Sequence, residues 1–221
     1  MRWLNFKPEV RALYEFDPYA SIAEHAAEPA LRSVVGLGAA REQGGNLLRR
    51  ALEQLGDSYH VPRGLTPVVD TRTQRLMPGM YPSIPGWHCD DWPRATYDSQ
   101  PDPDAVDPEA YHLTAIIDSK GGGLSETEVL CDELSVYYSP GVDGPLWQAV
   151  HKAVESHDVI TAPMTAGRLW RFGSHTIHRA RPATCRGWRF WMRLSMRHKV
   201  PDPGIVNSAE QVYILSEANG W

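Results

Sequence analysis

Cysteine is scarce in this sequence, and no two cysteines stand close together. The chain has three of them, Cys89, Cys131 and Cys185, with no Cys-X-X-Cys pair. This set indicates neither a disulfide framework, which needs paired cysteines, nor a structural zinc site, which needs clustered ones. The sequence therefore fits a reducing compartment, and we expect a cytoplasmic protein.

Long apolar runs are missing as well. No stretch approaches the roughly 18 consecutive apolar residues of a membrane-spanning helix. Residues 1–7 are not followed by the apolar segment that a secretion signal requires. We therefore expect neither secretion nor insertion into a membrane.

The sequence also lacks a basic excess, because its formal net charge is -5 at pH 7. Proteins that bind a nucleic-acid backbone or an anionic membrane usually present a basic surface. We therefore expect no duplex nucleic acid and no membrane as partner. A single nucleotide remains compatible as a ligand, and the oligomeric state stays open.

What the chain does contain is typical of one globular domain. It has 221 residues, of which 42% are apolar and 22% charged, with eight tryptophans. Residues 8–56 read as helical, and the leucines of residues 43–55 recur at helical spacing, so residues 1–66 are predicted to form a helical buttress. Residues 201–221 are a tail without a usable motif.

From residue 67 the pattern changes to short strands separated by glycine and proline. Seven or eight candidate strands in residues 67–200 favour a mainly β (α+β) fold, a barrel or sandwich against the N-terminal helices. Within this core, residues 95–110 are acidic and interrupted by prolines. Such a long irregular segment is typical of a lid, and we expect residues 95–110 to act as one.

Residues 165–197 carry the strongest signal, two strands joined by a turn. In the second strand, Phe190, Met192 and Leu194 alternate with polar or aromatic residues, so the two sets occupy opposite faces. Two arginines on one face are costly to bury unless an anion lies between them. This strand is therefore predicted to form one wall of a carboxylate pocket. The residues on that face are Arg189, Trp191, Arg193 and Ser195.

Two histidines and an aspartate complete the candidate site. His88 and Asp90 stand two positions apart, on one face of an extended chain, and His178 follows ninety positions after His88. Alone, the His-X-Asp pattern is better explained by a turn aspartate, which accepts backbone hydrogen bonds, beside a surface histidine. His175 is the rival to His178, because residues three apart on a strand face opposite sides and only one of the two can reach the ion.

The whole pattern resembles the Fe(II)/2-oxoglutarate-dependent dioxygenase superfamily. The resemblance comprises His88-X-Asp90, the run Pro-X-X-X-Gly-Arg-Leu-X-X-Phe at residues 163–172, and His178 followed by a strand-borne arginine. Arg189 and Arg193 follow His178 by eleven and fifteen positions, a spacing similar to that of the taurine dioxygenase group. The similarity covers residues 76–197 and implies a double-stranded β-helix, a jelly-roll or cupin-like barrel.

The resemblance also implies roles for individual residues. His88, Asp90 and His178 would be the Fe(II) ligands, and Arg189 would hold the distal carboxylate of 2-oxoglutarate. Arg193 is the alternative for that carboxylate, with Ser195, or a contact to an anionic substrate. Further expected contacts are Tyr81 to the co-substrate, and Trp87, Asp91, Trp92 and Arg94 to the substrate, although Trp87 and Trp92 could equally be packing residues.

The implied activity is the oxidation of an unactivated C–H bond of a small molecule, most simply its hydroxylation. Dioxygen and 2-oxoglutarate would be consumed, with release of succinate and carbon dioxide. An amino-acid-like compound, a natural product and a nucleotide are all compatible substrates. The alternative is a cupin-like metalloprotein without oxygenase activity, an isomerase or a sensor; a pure interaction module is the third class.

Overall fold

The structure is a computed structural model that describes residues 1–56, 59–95, 100–139 and 142–199 and the backbone of residues 213 and 214. Strands predominate in these ranges, and the prediction of a mainly β fold is confirmed. The elements are β1 (Arg2–Phe6), β2 (Val10–Glu15), α1 (Ile22–Ala27), β3 (Val34–Val35), α2 (Leu37–Gln43), α3 (Asn46–Glu53), β4 (Thr66–Leu76), β5 (Met80–Tyr81), β6 (Tyr111–Asp118), β7 (Thr127–Leu130), β8 (Leu134–Tyr138), α4 (Leu146–Ser156), β9 (Thr161–Met164), β10 (Arg168–Gly173), β11 (His178–Ala180), β12 (Gly187–Arg197) and β13 (Tyr213–Ile214).

The largest sheet has six strands in the order β2-β10-β6-β12-β4-β3, and all neighbours are antiparallel. Strand β12 lies inside it and pairs along its length with β4 and β6. The predicted alternation of β12 is confirmed, since Phe190, Met192 and Leu194 are fully buried on one face. Burial of each such side chain stabilises the fold by roughly 1.5–3 kcal/mol. The opposite face of β12 is left for polar residues.

The predicted N-terminal helices cover the apolar face of this sheet. Leu47, Leu48 and Leu52 of α3 belong to the same buried cluster as Phe190 and Met192 of β12. Helix α3 starts beside Glu28, whose carboxylate accepts hydrogen bonds from the N–H groups of residues 45, 47 and 48 at 3.0, 2.8 and 3.2 Å. These N–H groups have no partner within the helix, so a carboxylate there stabilises the helix end.

The prediction that residues 8–56 are helical is wrong for residues 10–15. This segment is strand β2, which pairs with β10 at the edge of the six-stranded sheet. Pro8 and Pro18 bracket it, and an isolated helix of that length is unstable in water. Pairing with β10 satisfies the backbone groups instead. Residues 2–6 are likewise a strand, β1, paired with β8.

A second layer contains the sheet β11-β7-β9 and the pair β1-β8. Leu146, Val150 and Val154 of α4 pack in one buried cluster with Phe6 of β1 and Val136 of β8. The described strands form open sheets, and closure into a barrel is not observed among them. The longest described helix, α4, has eleven residues, and none of the described helices is long and apolar enough to cross a membrane.

The proposed lid lies only partly in the described ranges, because residues 96–99 fall outside them. Residues 103–105 form a short 3-10 helix. The Asp107 carboxylate accepts a hydrogen bond from His198 Nδ1 at 2.8 Å. The backbone carbonyl of Asp107 accepts a hydrogen bond from Ser174 Oγ at 3.1 Å. None of the described residues of this loop lines the cavity described below. Its role as a lid stays a prediction.

Candidate metal centre

His88 and His178 meet because their backbones pair. The N–H of His88 donates to the carbonyl of His178 at 3.0 Å, and the N–H of His178 donates to the carbonyl of His88 at 2.9 Å. Residues that face each other in this antiparallel arrangement point their side chains to the same side. The two imidazole rings accordingly lie with their centroids 4.7 Å apart.

Asp90 joins them from the position two residues after His88. Its carboxylate oxygens lie 3.7 Å from His88 Nε2 and 3.4 Å from His178 Nε2. Two donors bound to one ion at about 2.1 Å each can be at most about 4.2 Å apart, a limit that both separations satisfy. The three side chains together could therefore hold a metal ion. Of the two histidines weighed as the second ligand, the structure brings His178, and not His175, to the others.

Both imidazoles are oriented by hydrogen bonds on the other side of the ring. His88 Nδ1 lies 2.7 Å from the carbonyl of Gly86, and His178 Nδ1 lies 3.0 Å from the carbonyl of Thr176. A carbonyl can only accept, so each Nδ1 carries the proton and donates it. In the neutral imidazole, each Nε2 is then left with a lone pair that could bind a metal ion. Backbone carbonyls orient ligand histidines in the same way in known metal sites.

Arg193 is bound to aspartates. Its guanidinium contacts Asp90 at 2.8 Å, Asp70 at 3.2 Å and Asp91 at 3.3 Å. Burial opposes the charge of Arg193, but the three carboxylates outweigh it and raise its pKa further. Burial also opposes ionisation of Asp90, yet Arg193 and His178 hold the pKa of Asp90 well below its usual range. Asp90 is therefore an anion, ready to ligate a cation.

Behind this group lies a buried hydrogen-bonded chain. Ser195 Oγ donates to Asp91 Oδ2 at 3.1 Å and lies 3.0 Å from His112 Nδ1. Burial lowers the pKa of His112 to about 4, so His112 is neutral and donates to Ser195. Ser195 therefore contacts Asp91, which also pairs with Arg197 at 3.2 Å. This network fixes the turn that carries Asp90.

Arg189 has a different environment. It is only 3% exposed, and its Nε donates to the carbonyl of Ser125 at 2.9 Å. No described carboxylate lies within 4.0 Å of it, and no described residue accepts a hydrogen bond from its two terminal amino groups. Burial lowers the pKa of Arg189 to about 9, although Asp118 acts in the opposite direction. A buried guanidinium in this state would be stabilised by an anion.

Arg189, Arg193 and the metal-site residues line one cavity of about 320 Å³, near the lower end of the range of roughly 300–1,000 Å³ typical of small-molecule sites. Ser33 and Asp91, the only non-glycine residues with positive φ in the described ranges, at 48° and 58°, also line it. Such backbone conformations concentrate at functional sites. The described lining residues include Leu31, Arg32, Ser33, Asp70, Thr71, Arg72, Ile84, His88, Asp90, Asp91, Thr114, Thr127, Phe172, His178, Arg189, Trp191, Arg193 and Arg197.

Several predicted contacts lie elsewhere. Trp87 is buried under Arg179 and donates to Glu155 at 2.9 Å, and Trp92 packs against Phe6 with its N–H on the carbonyl of Ser174. Both tryptophans therefore pack in the interior, which is the alternative given for them in the sequence analysis. The described lining of the cavity does not include Tyr81, Trp87, Trp92, Arg94 or Ser195.

Sequence reasoning missed other cavity residues. Asp70 and Arg72 on β4 line it, and so do Arg32 and Arg197. Asp70, Arg72 and Gln74 alternate along β4, and this run of large polar residues on one face of the strand was a usable signal. No such signal marked Arg32, because its place depends on the pairing of β3 with β4.

Comparison with known protein families finds no match, and no curated protein matches the chain either. The functional interpretation therefore depends on the residues and their geometry.

If His88, Asp90 and His178 bind a metal, the binding should depend on pH. Burial would lower the pKa of His178, but the Asp90 carboxylate outweighs burial and raises it, so in the metal-free protein a proton competes for this imidazole. Because a protonated imidazole cannot bind a metal, affinity should fall as the pH drops through the raised pKa, by up to about tenfold per pH unit. Calorimetric titration with Co(II) between pH 5 and 8 measures this, and an affinity that does not change with pH would contradict it.

Proposed function

We propose that this chain is a non-heme Fe(II)- and 2-oxoglutarate-dependent dioxygenase that hydroxylates an unactivated C–H bond of a small molecule, on a double-stranded β-helix core. One observation carries the proposal. The His88-Asp90-His178 group lines the same cavity as Arg189, which has no described carboxylate within 4.0 Å. The two histidines and the aspartate suit a metal ion, and the Arg189 guanidinium suits the distal carboxylate of a dicarboxylate.

The ligand set supports iron. Two imidazoles and one carboxylate are typical of non-heme Fe(II) oxygenases, because such a set leaves coordination positions open for a co-substrate and dioxygen. When bound, iron, 2-oxoglutarate and dioxygen would supply the oxidising chemistry, with succinate and carbon dioxide as products. The chain's own contribution is to orient and to shield. His88 and His178 are fixed by hydrogen bonds to backbone carbonyls, and Asp90 is fixed by its ion pair with Arg193. Phe172 packs edge-on against His178 with ring centroids 5.2 Å apart.

Arg189 and Arg193 have different surroundings, which supports a different role for each. The terminal amino groups of Arg193 contact Asp70, Asp90 and Asp91, so its charge is already compensated and it positions the aspartate proposed to bind the metal. Arg189 is buried beside the cavity with two terminal amino groups to offer, and a planar guanidinium can donate two parallel hydrogen bonds to one carboxylate. We therefore assign the distal carboxylate of 2-oxoglutarate to Arg189.

The test is anaerobic addition of Fe(II) and 2-oxoglutarate to the metal-free protein. We expect the weak visible charge-transfer band of the iron chelate in the wild type. The band should be absent in Asp90→Ala and should need much more 2-oxoglutarate in Arg189→Ala. A wild type without a band, or a band that is equal in Arg189→Ala, would overturn the proposal.

Succinate formation separates the oxygenase from a cupin-like isomerase or sensor. Such a metalloprotein would keep the metal ligands but would not consume 2-oxoglutarate. With Fe(II) and oxygen present, we expect slow conversion of 2-oxoglutarate to succinate even without substrate. Metal binding without any succinate would favour the alternative.

A further inference from the structure

The two histidine-bearing segments of the candidate metal site are joined by few backbone hydrogen bonds. The pairing of His88 with His178 is an isolated bridge and does not belong to one of the strand ladders given above. Next along these segments, the N–H of Ala180 donates to the carbonyl of Ile84 at 3.0 Å. Pro85 follows in the chain, and a proline has no N–H with which to extend a ladder. The approach of the two histidines therefore needs support from side chains.

Trp87 and Arg179 lie directly behind this bridge. Trp87 precedes His88 in sequence, and Arg179 follows His178. In an antiparallel pairing, the neighbours of a facing pair also face each other, with their side chains on the opposite side. The guanidinium of Arg179 accordingly lies over the Trp87 ring, 4.3 Å from its centroid. A cation–π contact thus joins the two segments on the side away from the metal-site histidines.

Arg179 is also bound to two carboxylates on two different elements. Its Nε donates to Glu128 Oε2 at 2.8 Å, and its Nη1 donates to Glu155 Oε1 at 2.9 Å. Glu128 lies opposite Arg179 in the pairing of β11 with β7, and its other oxygen accepts a hydrogen bond from Thr161 of β9 at 3.0 Å. The rigid guanidinium fork therefore ties β11 to the rest of its sheet and to helix α4 at once.

Glu155 connects α4 to both segments. The oxygen that accepts from Arg179 also accepts a hydrogen bond from Trp87 Nε1 at 2.9 Å. This hydrogen bond from Trp87, together with the charge of Arg179, lowers the pKa of Glu155 although burial opposes it. Trp87 is buried in the same apolar cluster as Val150 and Val154 of α4. Helix α4 therefore holds each segment at the residue next to its histidine.

We propose that Trp87, Arg179 and Glu155 form a clamp by which helix α4 holds the segments of His88 and His178 together. The three side chains close a cycle of one ring contact, one ion pair and one hydrogen bond behind the bridge. A network of this kind contributes more than an isolated surface ion pair. The described lining of the cavity does not include any of the three, so they are positioning residues. Their consequence for metal binding rests on the proposed function.

Amide hydrogen exchange in the metal-free full chain tests the clamp directly. The N–H groups of His88 and His178 donate across the bridge, so their exchange rates report how often the two segments separate. We expect Arg179→Ala to speed both exchange rates by at least about tenfold, because it removes the ring contact and the ion pairs together. The amides of Phe190 and Met192 in the six-stranded sheet should keep their rates.

Matched variants separate the clamp from a general loss of stability. Arg179→Lys keeps the charge and loses the planar fork, so it should restore part of the protection. Glu155→Ala should speed exchange at the same two amides, whereas Glu155→Gln keeps an acceptor for the Trp87 N–H and should have a smaller effect. The control is Arg181→Ala, because Arg181 is exposed and acts on Glu126 instead. It should leave both exchange rates within about twofold of the wild type.

Metal binding tests the consequence for the ligands. The Co(II) affinity, measured by calorimetry, should fall about tenfold or more in Arg179→Ala and stay unchanged in Arg181→Ala, because groups that support metal ligands have effects of this size. Four results would overturn the clamp: unchanged exchange at both histidine amides in Arg179→Ala, equal acceleration in Arg181→Ala, equal acceleration in the six-stranded sheet, or faster exchange with unchanged Co(II) affinity.

Failure of the clamp and failure of the proposed function give different results. A wild type that binds no Co(II) would refute the metal site. The exchange rates of the metal-free chain would still decide whether Arg179 and Glu155 hold the two segments together, because that measurement needs neither metal nor turnover.

Discussion

Replacing Arg189 with alanine is expected to weaken the binding of 2-oxoglutarate about a hundredfold or more while the metal stays bound. Arg189 is almost fully buried, and among the described residues only the carbonyl of Ser125 accepts a hydrogen bond from it. A hydrogen bond to a charged group contributes about 1.5–3 kcal/mol, so the loss of two parallel bonds corresponds to at least about a hundredfold. Titration of the anaerobic Fe(II) complex with 2-oxoglutarate measures this effect.

Two companion variants make that result specific. Arg189→Lys keeps the charge and loses the planar fork, so we expect intermediate affinity. Arg186→Ala removes an exposed arginine three residues away and should leave the affinity unchanged. Thermal unfolding of each variant checks that the fold is intact. An Arg189→Ala protein with wild-type affinity, or an equal loss in Arg186→Ala, would show that another group holds the co-substrate.

Replacing His178 with alanine is expected to abolish turnover and to reduce metal affinity by more than about a hundredfold. Removal of a second-shell partner already costs about 10–100-fold, and His178 is proposed as a ligand itself. The matched control is His175→Ala. His175 packs edge-on against Trp92 with ring centroids 5.6 Å apart and is not part of the group that could hold a metal. We expect its loss to leave metal binding essentially unchanged.

Metal content and succinate release, measured on both variants, decide between the two histidines. Equal losses in His175→Ala and His178→Ala would point to a general loss of structure, and thermal unfolding would reveal it. Loss of metal in His175→Ala alone would show that His175, and not His178, is the second histidine ligand. The pairing of the His88 and His178 backbones argues for the expected outcome.

The parts of the molecule that local pattern determines were predictable from sequence. Strand β12 could be read from the alternation of Phe190, Met192 and Leu194, and helix α3 from its leucines, because burial imposes those periods. The two metal-site segments were predictable as well, since His88-X-Asp90 and His178 formed a recognisable pattern. The structure brings those three side chains together.

Features that depend on distant pairing were not predictable. The sequence of residues 10–15 does not indicate that this segment pairs with β10, so a helix was predicted where strand β2 lies. The role of Arg193 depends on Asp70, which lies opposite it in the register of β12 and β4. Its sequence position alone could not separate a co-substrate contact from an ion pair.

Of the four expected substrate contacts, Asp91 lines the cavity and the other three do not, for a related reason. Proximity in sequence to His88 and Asp90 suggested Trp87, Trp92 and Arg94, but neighbours along an extended chain alternate in direction. Trp87 and Trp92 pack into the second-layer cluster instead. Arg32 and Arg72 reach the cavity from β4 and the segment paired with it, far away in sequence.

The arrangement of charges has an energetic consequence for Arg193. A buried ion pair adds little stability by itself, but removal of one partner leaves an uncompensated charge, which is strongly destabilising. Arg193 faces Asp70, Asp90 and Asp91, so the network holds Asp90 in one orientation in the metal-free chain. We therefore propose that Arg193 positions Asp90, a role that differs from the one proposed for Arg189.

The most direct measurement is a crystal structure of the chain loaded anaerobically with Fe(II) and 2-oxoglutarate, with the metal located by its anomalous scattering. We expect iron bound by His88 Nε2, the Asp90 carboxylate and His178 Nε2. The distal carboxylate of 2-oxoglutarate should lie against Arg189, with Arg193 still paired with Asp90. Iron bound elsewhere, or the carboxylate held by Arg193, would contradict it.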